Sequence, residues 1–377
     1  MIETPGILLT ILAFALVIGP LVFLHELGHY LAGRWFGVKA EEFSIGFGRE
    51  VAGFTDRRGT RWKFGWLPLG GYVRFAGDMN PASQPSPEWL SLPAHERAKT
   101  FQSKPLWQRA IIVAAGPISN FLVAIVILAG FALAYGQNTT SAVVGSVQPG
   151  SAAAAAGLQP GDRITALGGR VIGDFNDLRT FTVMRAGAPV QVDFERGGRT
   201  MHADTVIGTL AEKDRFGNVS RHGVLGIGPG PQVFTPVSWW EAPLVGARRT
   251  WEIVETTVDG LGQIIMGRIA VSELGGPLKI AQISGESLAM GPIYLVNLIA
   301  LVSINLGFIN LLPVPVLDGG HLLFYAVEAI RRRPVEPRVM EWAFRGGLLA
   351  ILALMLFVTL NDLGAFGVWR NLAGLIG

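Results

Sequence analysis

Cysteine is absent from this chain of 377 residues. Without thiols the chain can form no disulfide and no thiolate metal site, so any metal must be held by His, Asp or Glu. Charge is also scarce, since Asp, Glu, Lys and Arg make up 16% of the residues while 50% are hydrophobic. This composition is too apolar for an ordinary soluble protein. The net charge of +3 and the lack of basic blocks with interleaved aromatics predict no nucleic-acid partner.

The apolar residues are gathered into long runs. The first run, from Gly6 to Leu24, is uncharged and long enough to span a bilayer. No Lys or Arg precedes it, so it lacks the positive region of a cleavable signal peptide. Three further runs complete a prediction of four transmembrane helices and a polytopic α-helical membrane protein. The predicted helices cover about 6–36, 107–135, 292–312 and 343–360.

Positive charge is distributed unevenly among the connecting segments. The loop from Arg34 to Arg109 holds twelve Lys and Arg residues, and the loop between the third and fourth predicted helices is also rich in arginine. Loops of this kind favour the cytoplasmic side of the inner membrane. Both termini and the long 136–290 segment are therefore predicted to lie outside the cytoplasm.

The predicted domains follow from this division. They are an N-terminal membrane core at 1–135, a small domain at 136–208, a connecting region at 209–290 and a C-terminal membrane core at 291–377. The small domain has Gly/Pro punctuation with β-type runs at 142–147 and 190–194 and helices at 152–156 and 176–185, which predicts an α+β fold. Within the N-terminal membrane core, residues 80–93 are rich in Pro and Ser and predict a flexible loop.

Residues 238–268 predict an amphipathic helix that begins at Ser238, a plausible N-cap. Charged residues are spread among its tryptophans and argue against a fifth membrane span. Two placements remain open: the helix lies on the membrane surface, or it packs on a soluble domain.

The most specific motif in the chain is His25-Glu26-Leu27-Gly28-His29. On a helix, positions i and i+4 share one face, so His25 and His29 can present two imidazoles to one zinc ion, with Glu26 beside them as general base. The motif follows nineteen uncharged residues and is predicted to lie at membrane depth near the cytoplasmic end. Ionisable groups are costly there and mark function.

A catalytic zinc needs a third protein ligand and an open position for water. Asp318 is the other charged group in a comparable setting, at the cytoplasmic end of the third predicted helix. Pro313 and Pro315 precede it and exclude a regular helix interior, which is tolerated at membrane depth where backbone lines a cavity. Taken alone, Asp318 could equally belong to a helix-ending turn. His321 is a rival ligand or a neighbour that supports one.

Together these motifs resemble the site-2 protease family, peptidase M50, and within it the RseP-type bacterial intramembrane proteases. The family pattern of HExxH in the first helix and N-x-x-P-x-P-x-L-D-G in the third is met without departure. Residues 68–74 are similar to the membrane-associated β-hairpin of the family, and 115–120 are similar to the start of its second helix. Residues 147–162 resemble a PDZ domain, although the best-known members have two such domains and this chain has room for one.

The resemblance implies one Zn²⁺ held by His25, His29 and Asp318, with Glu26 activating water. It implies that Asn310, Pro313 and Pro315 hold the unwound substrate. The edge strand near Gly71, Tyr72 and Val73 is a further candidate to capture it by strand addition, with a plain hairpin as the alternative. The PDZ-like domain either binds a peptide or acts as a size filter.

The expected function is zinc-dependent cleavage of transmembrane segments of single-span membrane proteins in the lipid bilayer. Anti-sigma factors and signal-peptide remnants are substrate classes that the resemblance alone suggests. Two alternatives are a catalytically inactive PDZ scaffold and a metal transporter. The scaffold predicts the loss of a ligand or of the base, and the transporter predicts polar sites stacked across the bilayer.

Overall fold

The computed structural model describes most of the chain, in two compact units. The first unit combines Met1–Leu128 with Gly276–Thr359, and the second combines Ala129–Gly275 with Leu360–Gly377. The predicted flexible loop at 80–93 lies almost entirely outside the described residues. These are 6–77, 92–138, 141–213, 219–231, 234–267 and 275–365.

The described residues of the two units form ten helices and twelve strands. The helices are α1 (Ile7–Trp35), α2 (Ala94–Arg97), α3 (Leu106–Tyr135), α4 (Ala152–Ala155), α5 (Phe175–Val183), α6 (Ala242–Ile265), α7 (Pro277–Met290), α8 (Pro292–Leu311), α9 (Asp318–Arg331) and α10 (Pro337–Ala365). The strands are β1 (Ala40–Thr55), β2 (Arg61–Phe75), β3 (Gln137–Asn138), β4 (Val144–Val147), β5 (Arg163–Leu167), β6 (Arg170–Val171), β7 (Pro189–Arg196), β8 (Arg199–Val206), β9 (Gly208–Lys213), β10 (Val219–Val224), β11 (Ile227–Pro229) and β12 (Phe234–Thr235).

Within the described ranges, four helices are long and apolar enough to cross a membrane. They are α1, α3, α8 and the Arg338–Gly364 part of α10. Helix α1 has 29 residues, and at 1.5 Å per residue it exceeds the ~30 Å hydrocarbon core. The fourth helix begins at Pro337, earlier than the predicted 343, and Glu341 and Arg345 form an i,i+4 ion pair near its start.

Strands β1 and β2 form an antiparallel hairpin in which both strands bend. Residues 42–45 of β1 pair on one side with 71–74 of β2 and on the other with 61–64. The hairpin therefore behaves as a four-segment sheet, and 71–75 is one of its edges. Phe43, Val73 and Phe75 from one face join a buried cluster with Tyr30 of α1, which fixes the sheet against that helix.

Two features of the C-terminal core differ from the sequence prediction. Residues 277–290, assigned above to the connecting region, form α7, which packs along α1 inside the first unit. Asp318 does not end the third predicted helix but begins the separate helix α9. Residues 312–317 form a non-helical segment between α8 and α9, because Pro313 and Pro315 remove backbone donors there.

The second unit contains the small domain. Its four-stranded antiparallel sheet has the order β6-β5-β7-β8. Helices α4 and α5 and strands β4 and β7 lie where the sequence predicted two helices and two strands. A buried apolar cluster, which includes Ile164, Leu167, Val192 and Leu225, forms the core of this domain.

Candidate metal centre

Three side-chain atoms from two helices converge in the first unit. His25 Nε2 lies 3.2 Å from Asp318 Oδ2, and His29 Nε2 lies 3.5 Å from the same oxygen. The two Nε2 atoms are 3.3 Å apart. The single-turn spacing on α1 brings the imidazoles together, and the first residue of α9 supplies the carboxylate.

This triangle has the dimensions of three corners of a zinc tetrahedron. With ligand bonds of 2.0–2.1 Å, tetrahedral donors are separated by about 3.3–3.4 Å. Asp318 Oδ2 is buried and accepts no hydrogen bond within the described residues. A buried carboxylate oxygen without a donor is costly, and a bound cation would remove that cost.

The outer nitrogens of both histidines are engaged by the protein. His29 Nδ1 lies 2.9 Å from the carbonyl oxygen of Ile112 on α3, so it must carry the proton and donate. The lone pair of its Nε2 is therefore directed at the centre. The sequence offers no signal for this contact, because any residue at 112 supplies the same carbonyl.

Asn120 of α3 contacts the outer nitrogen of His25. Its amide nitrogen lies 3.0 Å from His25 Nδ1, while its buried Oδ1 has no partner among the described residues. A half-turn of the amide would let Oδ1 accept from Nδ1–H, which satisfies the oxygen and leaves Nε2 free for a metal. Ser303 of α8 donates to the backbone oxygen of Asn120 at 2.8 Å and ties this residue to a third helix.

Small residues allow α1 and α3 to approach at the site. A Cβ at Gly116 would lie 2.2 Å from His29 Nε2, and one at Gly28 would lie 2.4 Å from the carbonyl oxygen of Ala115. Either contact is too short for any side chain. Glycine at these two positions is therefore required for the observed closeness of the motif and α3.

Glu26 lies beside the triangle and contacts the hairpin. A Cβ at Gly71 would lie 3.1 Å from Glu26 Cγ, so this part of the sheet edge is in close contact with the carboxylate side chain. The edge strand thus packs against Glu26 as well as bordering the site.

A cavity of about 200 Å³ surrounds these groups. The predicted substrate-binding residues Gly71, Tyr72, Val73 and Asn310 line it, and so does His321. Pro313 and Pro315 are not among its lining residues. Pro315 instead contacts α10, where a Cβ at Gly347 would lie 2.5 Å from its oxygen.

The loop before Asp318 has a strained backbone. Val316 lines the cavity and has φ of +92°, which is rare for a β-branched residue. A Cβ at Gly319 would lie 2.2 Å from the oxygen of Leu312, so the loop folds tightly over the start of α9. Strain of this kind is found at functional sites that the surrounding structure holds in place.

A helical core suited to a membrane, with a converging His–His–Asp set and an adjacent glutamate, defines a membrane-type metallopeptidase. The comparison with known families agrees, because the model of Peptidase family M50 matches residues 13–354. The chain belongs to this family, the site-2 proteases, and is a zinc metalloprotease of it.

Relatives match over nearly their whole length. A protein from Agrobacterium fabrum, named as a zinc metalloprotease, is 44% identical over 94% of this chain and 96% of its own. Metalloprotease MmpA of Caulobacter vibrioides is 38% identical over 98% of this chain and 99% of its own. The PDZ domain of an SdrC-like protein from Listeria monocytogenes is 24% identical over 24% of this chain and 87% of that chain, with a TM-score of 0.19, which supports no conclusion about fold.

Proposed function

We propose that this chain is an intramembrane endopeptidase that hydrolyses a peptide bond in the transmembrane segment of single-span membrane proteins. The observation that carries the proposal is the His25–His29–Asp318 triangle beside Glu26. The motif lies on α1, one of the four candidate spans. This position supports a proposal in which hydrolysis takes place within an apolar core.

One Zn²⁺ would be held by His25, His29 and Asp318, and when bound it would supply a Lewis acid for the scissile carbonyl. Glu26 would take a proton from the attacking water as the water oxygen bonds to the carbonyl carbon. The same carboxyl would return this proton to the leaving nitrogen as the C–N bond breaks.

The size of the cavity supports an unwound substrate. An α-helix is about 10–12 Å in diameter with its side chains, and a cavity of about 200 Å³ is far too small to enclose one. The segment at 71–75 is a sheet edge next to Glu26, and an extended peptide can add to such an edge. We propose that Gly71, Tyr72 and Val73 border the bound peptide and that Asn310 contacts it.

The roles of Pro313 and Pro315 are proposed differently from the sequence expectation. Neither residue lines the cavity, and both lie in the irregular 312–317 segment. We infer that they act by preventing α8 from continuing, which leaves Asp318 free to start α9 and face the histidines. Their contribution to substrate binding would then be indirect.

The proposed location is the inner membrane, with both termini and the PDZ-like domain outside the cytoplasm and the site near the cytoplasmic side. The distribution of Lys and Arg supports this orientation. A reporter enzyme that is active only outside the cytoplasm, fused near Gly168, should be active. A silent fusion would reverse the orientation.

The test of the activity uses the purified full chain and a single-span substrate. Wild type should cleave it, a chelator should stop cleavage, and Glu26→Gln should lower the rate by at least ~10²-fold while zinc stays bound. Glu341→Gln is the matched control, because Glu341 is an exposed carboxylate on α10, outside the site. Undiminished cleavage by Glu26→Gln would remove Glu26 as the base.

The two alternatives receive less support. A scaffold that has lost catalysis would lack a ligand or the base, and all four residues are present. A transporter would need several polar sites across the bilayer. In the described part of the chain, His25, His29 and Asp318 form the one group found with metal-binding spacing.

A further inference from the structure

Helix α6 turns its acidic side toward the small domain. Arg170 of β6 donates to Glu255 at 3.2 Å and to Asp259 at 3.0 Å. Arg185, which follows α5, donates to Asp259 at 3.3 Å. Because the two arginines come from different elements of the domain, their ion pairs fix the rotation of α6 about its own axis.

Several large apolar residues lie on the adjacent side of α6 and are exposed, and the indole N–H of Trp251 among them donates to Glu255 at 2.7 Å. Leu244, Trp251, Val258 and Ile265 are 66%, 63%, 50% and 86% exposed, at a spacing of seven residues. Apolar residues at such spacings form one stripe along a helix. We call the full set the apolar stripe: Trp240, Leu244, Ala247, Trp251, Val254, Val258, Leu261 and Ile265.

This arrangement decides against packing of the apolar stripe on the soluble domain. A helix that packs on a domain buries its large apolar residues and exposes its charges. The residues that α6 buries are small or polar, namely Ala242, Gly246, Thr250 and Gln263. Its carboxylates contact the domain, while most of the apolar stripe is exposed and only Ala247, Val254 and Leu261 of it are half-buried.

We propose that the apolar stripe lies in the headgroup region of the lipid bilayer, an inference that rests on the proposed membrane location. Tryptophan is enriched at that depth. Trp240 of the apolar stripe and its neighbour Trp239 are 65% and 75% exposed. Helix α6 is also close in sequence to the membrane core, since α7 begins at Pro277 and α8, a candidate span, at Pro292.

A second copy of the chain fits the apolar stripe less well. Paired helices with heptad spacing choose their partner by salt bridges between g and e positions. The e positions include Glu241, Arg248 and Glu255, but the g positions, Pro243, Thr250, Thr257 and Ile264, carry no charge to pair with them. Two of the eight stripe positions are also tryptophan, where paired helices prefer Leu, Ile or Val.

The charges of α6 predict the lipid dependence. Glu255 and Asp259 are balanced by arginines of the same unit, so they neither attract nor strongly repel an anionic surface. Burial of the apolar stripe is then the main driving force, and zwitterionic lipid should suffice.

The test uses the absence of cysteine, since one introduced cysteine gives a unique spin label on the full chain. Labels at Leu244→Cys and Val258→Cys report the apolar stripe, and Arg248→Cys reports the charged side of α6. Val206→Cys on β8 gives an aqueous reference, and Val126→Cys, 71% exposed on α3, gives a lipid reference. Collision rates with oxygen and with a water-soluble nickel chelate are measured in phosphatidylcholine nanodiscs.

Stripe labels should favour oxygen and lie ~5–10 Å below the headgroup boundary, whereas the Arg248 and Val206 labels should favour the nickel chelate several-fold. Equal nickel access at the stripe and at Arg248 would overturn the inference. So would spin–spin broadening between two copies in one disc, or lipid contact that requires anionic lipid. An aqueous Val126 label would overturn the proposed membrane location with it, so the two failures are distinguishable.

Discussion

Two acidic side chains, one in each unit, are removed from water in different ways. Asp162 of the small domain has a side chain 1% exposed, and Arg196 donates to both its oxygens at 2.7 Å. The backbone N–H of Gln159 donates to it as well. Asp318 faces two histidines instead, and its Oδ2 has no hydrogen-bond donor within the described residues.

The difference separates a structural carboxylate from a proposed metal ligand. The charge of Asp162 is balanced by the chain itself, and the Arg196 guanidinium holds the pKa of that carboxyl below its usual value of 3.8. The charge of Asp318 is not balanced by any cationic side chain of comparable contact, because each histidine directs a lone pair at the centre when its other nitrogen donates. A buried acid of this second kind points to a cation from outside.

Replacing each of the two carboxylates by its amide tests the difference between Asp318 and Asp162 most directly. Asp318→Asn should lose bound zinc and all measurable cleavage, because one of three ligands is gone. The first unit should stay folded, since the amide no longer places a charge in the apolar core. Zinc content by atomic absorption and circular dichroism measure the two effects. Full zinc occupancy in this variant would contradict the assigned ligand set.

Glycine 116 tests whether the triangle depends on close helix contact. Gly116→Ala should lower zinc affinity by more than tenfold, because the new Cβ would lie 2.2 Å from His29 Nε2 and displace the ring. Gly130→Ala on the same helix is the control, since nothing lies within 4 Å of its added Cβ. Competition with a chromophoric chelator gives both affinities. Equal affinities would show that the ring tolerates the methyl group.

Substitutions of Asn120 test whether this residue orients His25. Asn120→Ala should weaken zinc binding by about 10–100-fold, as for other residues that orient a metal-bound histidine. Asn120→Asp keeps an acceptor for His25 Nδ1–H and should retain most of the affinity. Ser303→Ala removes only the bond to the backbone oxygen of Asn120 and should have the smaller effect. A Co²⁺ absorption spectrum that is unchanged in Asn120→Ala would contradict the orienting role.

In the second unit the amide exchange should have the opposite result. Asp162→Asn should leave zinc and cleavage unchanged but destabilise the small domain by about 1.5–3 kcal/mol, the usual range for hydrogen bonds to a charged group. Hydrogen exchange of the β5 and β7 amides measures this local loss. Unchanged exchange would mean that the ion pair adds no stability.

The smallest effect is an acid dependence confined to the second unit. The folded pKa of Asp162 is lowered from 3.8 by the Arg196 hydrogen bonds. Its contribution to the free energy of unfolding is therefore present above pH 3.8 and is lost as the pH falls through the lower folded value. Hydrogen exchange of the small domain against pH should show this loss, and Arg196→Gln should remove it. An identical pH profile in Arg196→Gln would contradict the linkage.

Local sequence determined much of this protein. The spacing of His25 and His29 sets a shared helix face, and long uncharged runs require helices of bilayer length, because both features depend only on near neighbours along the chain. Pro313 and Pro315 likewise predicted that the helix ends before Asp318. The direction of the apolar stripe on α6 was not decided in this way, since periodicity alone does not show which side a helix buries.

The tertiary structure decided the contacts that join distant segments. The Asn120 amide and the Ile112 carbonyl reach the motif across 95 and 83 residues of chain. No periodicity encodes such contacts, because they depend on how α1 and α3 pack. The sequence thus predicted the ligands, while packing determined how they are oriented. A side chain's partners from distant parts of the chain exist only once the core has formed.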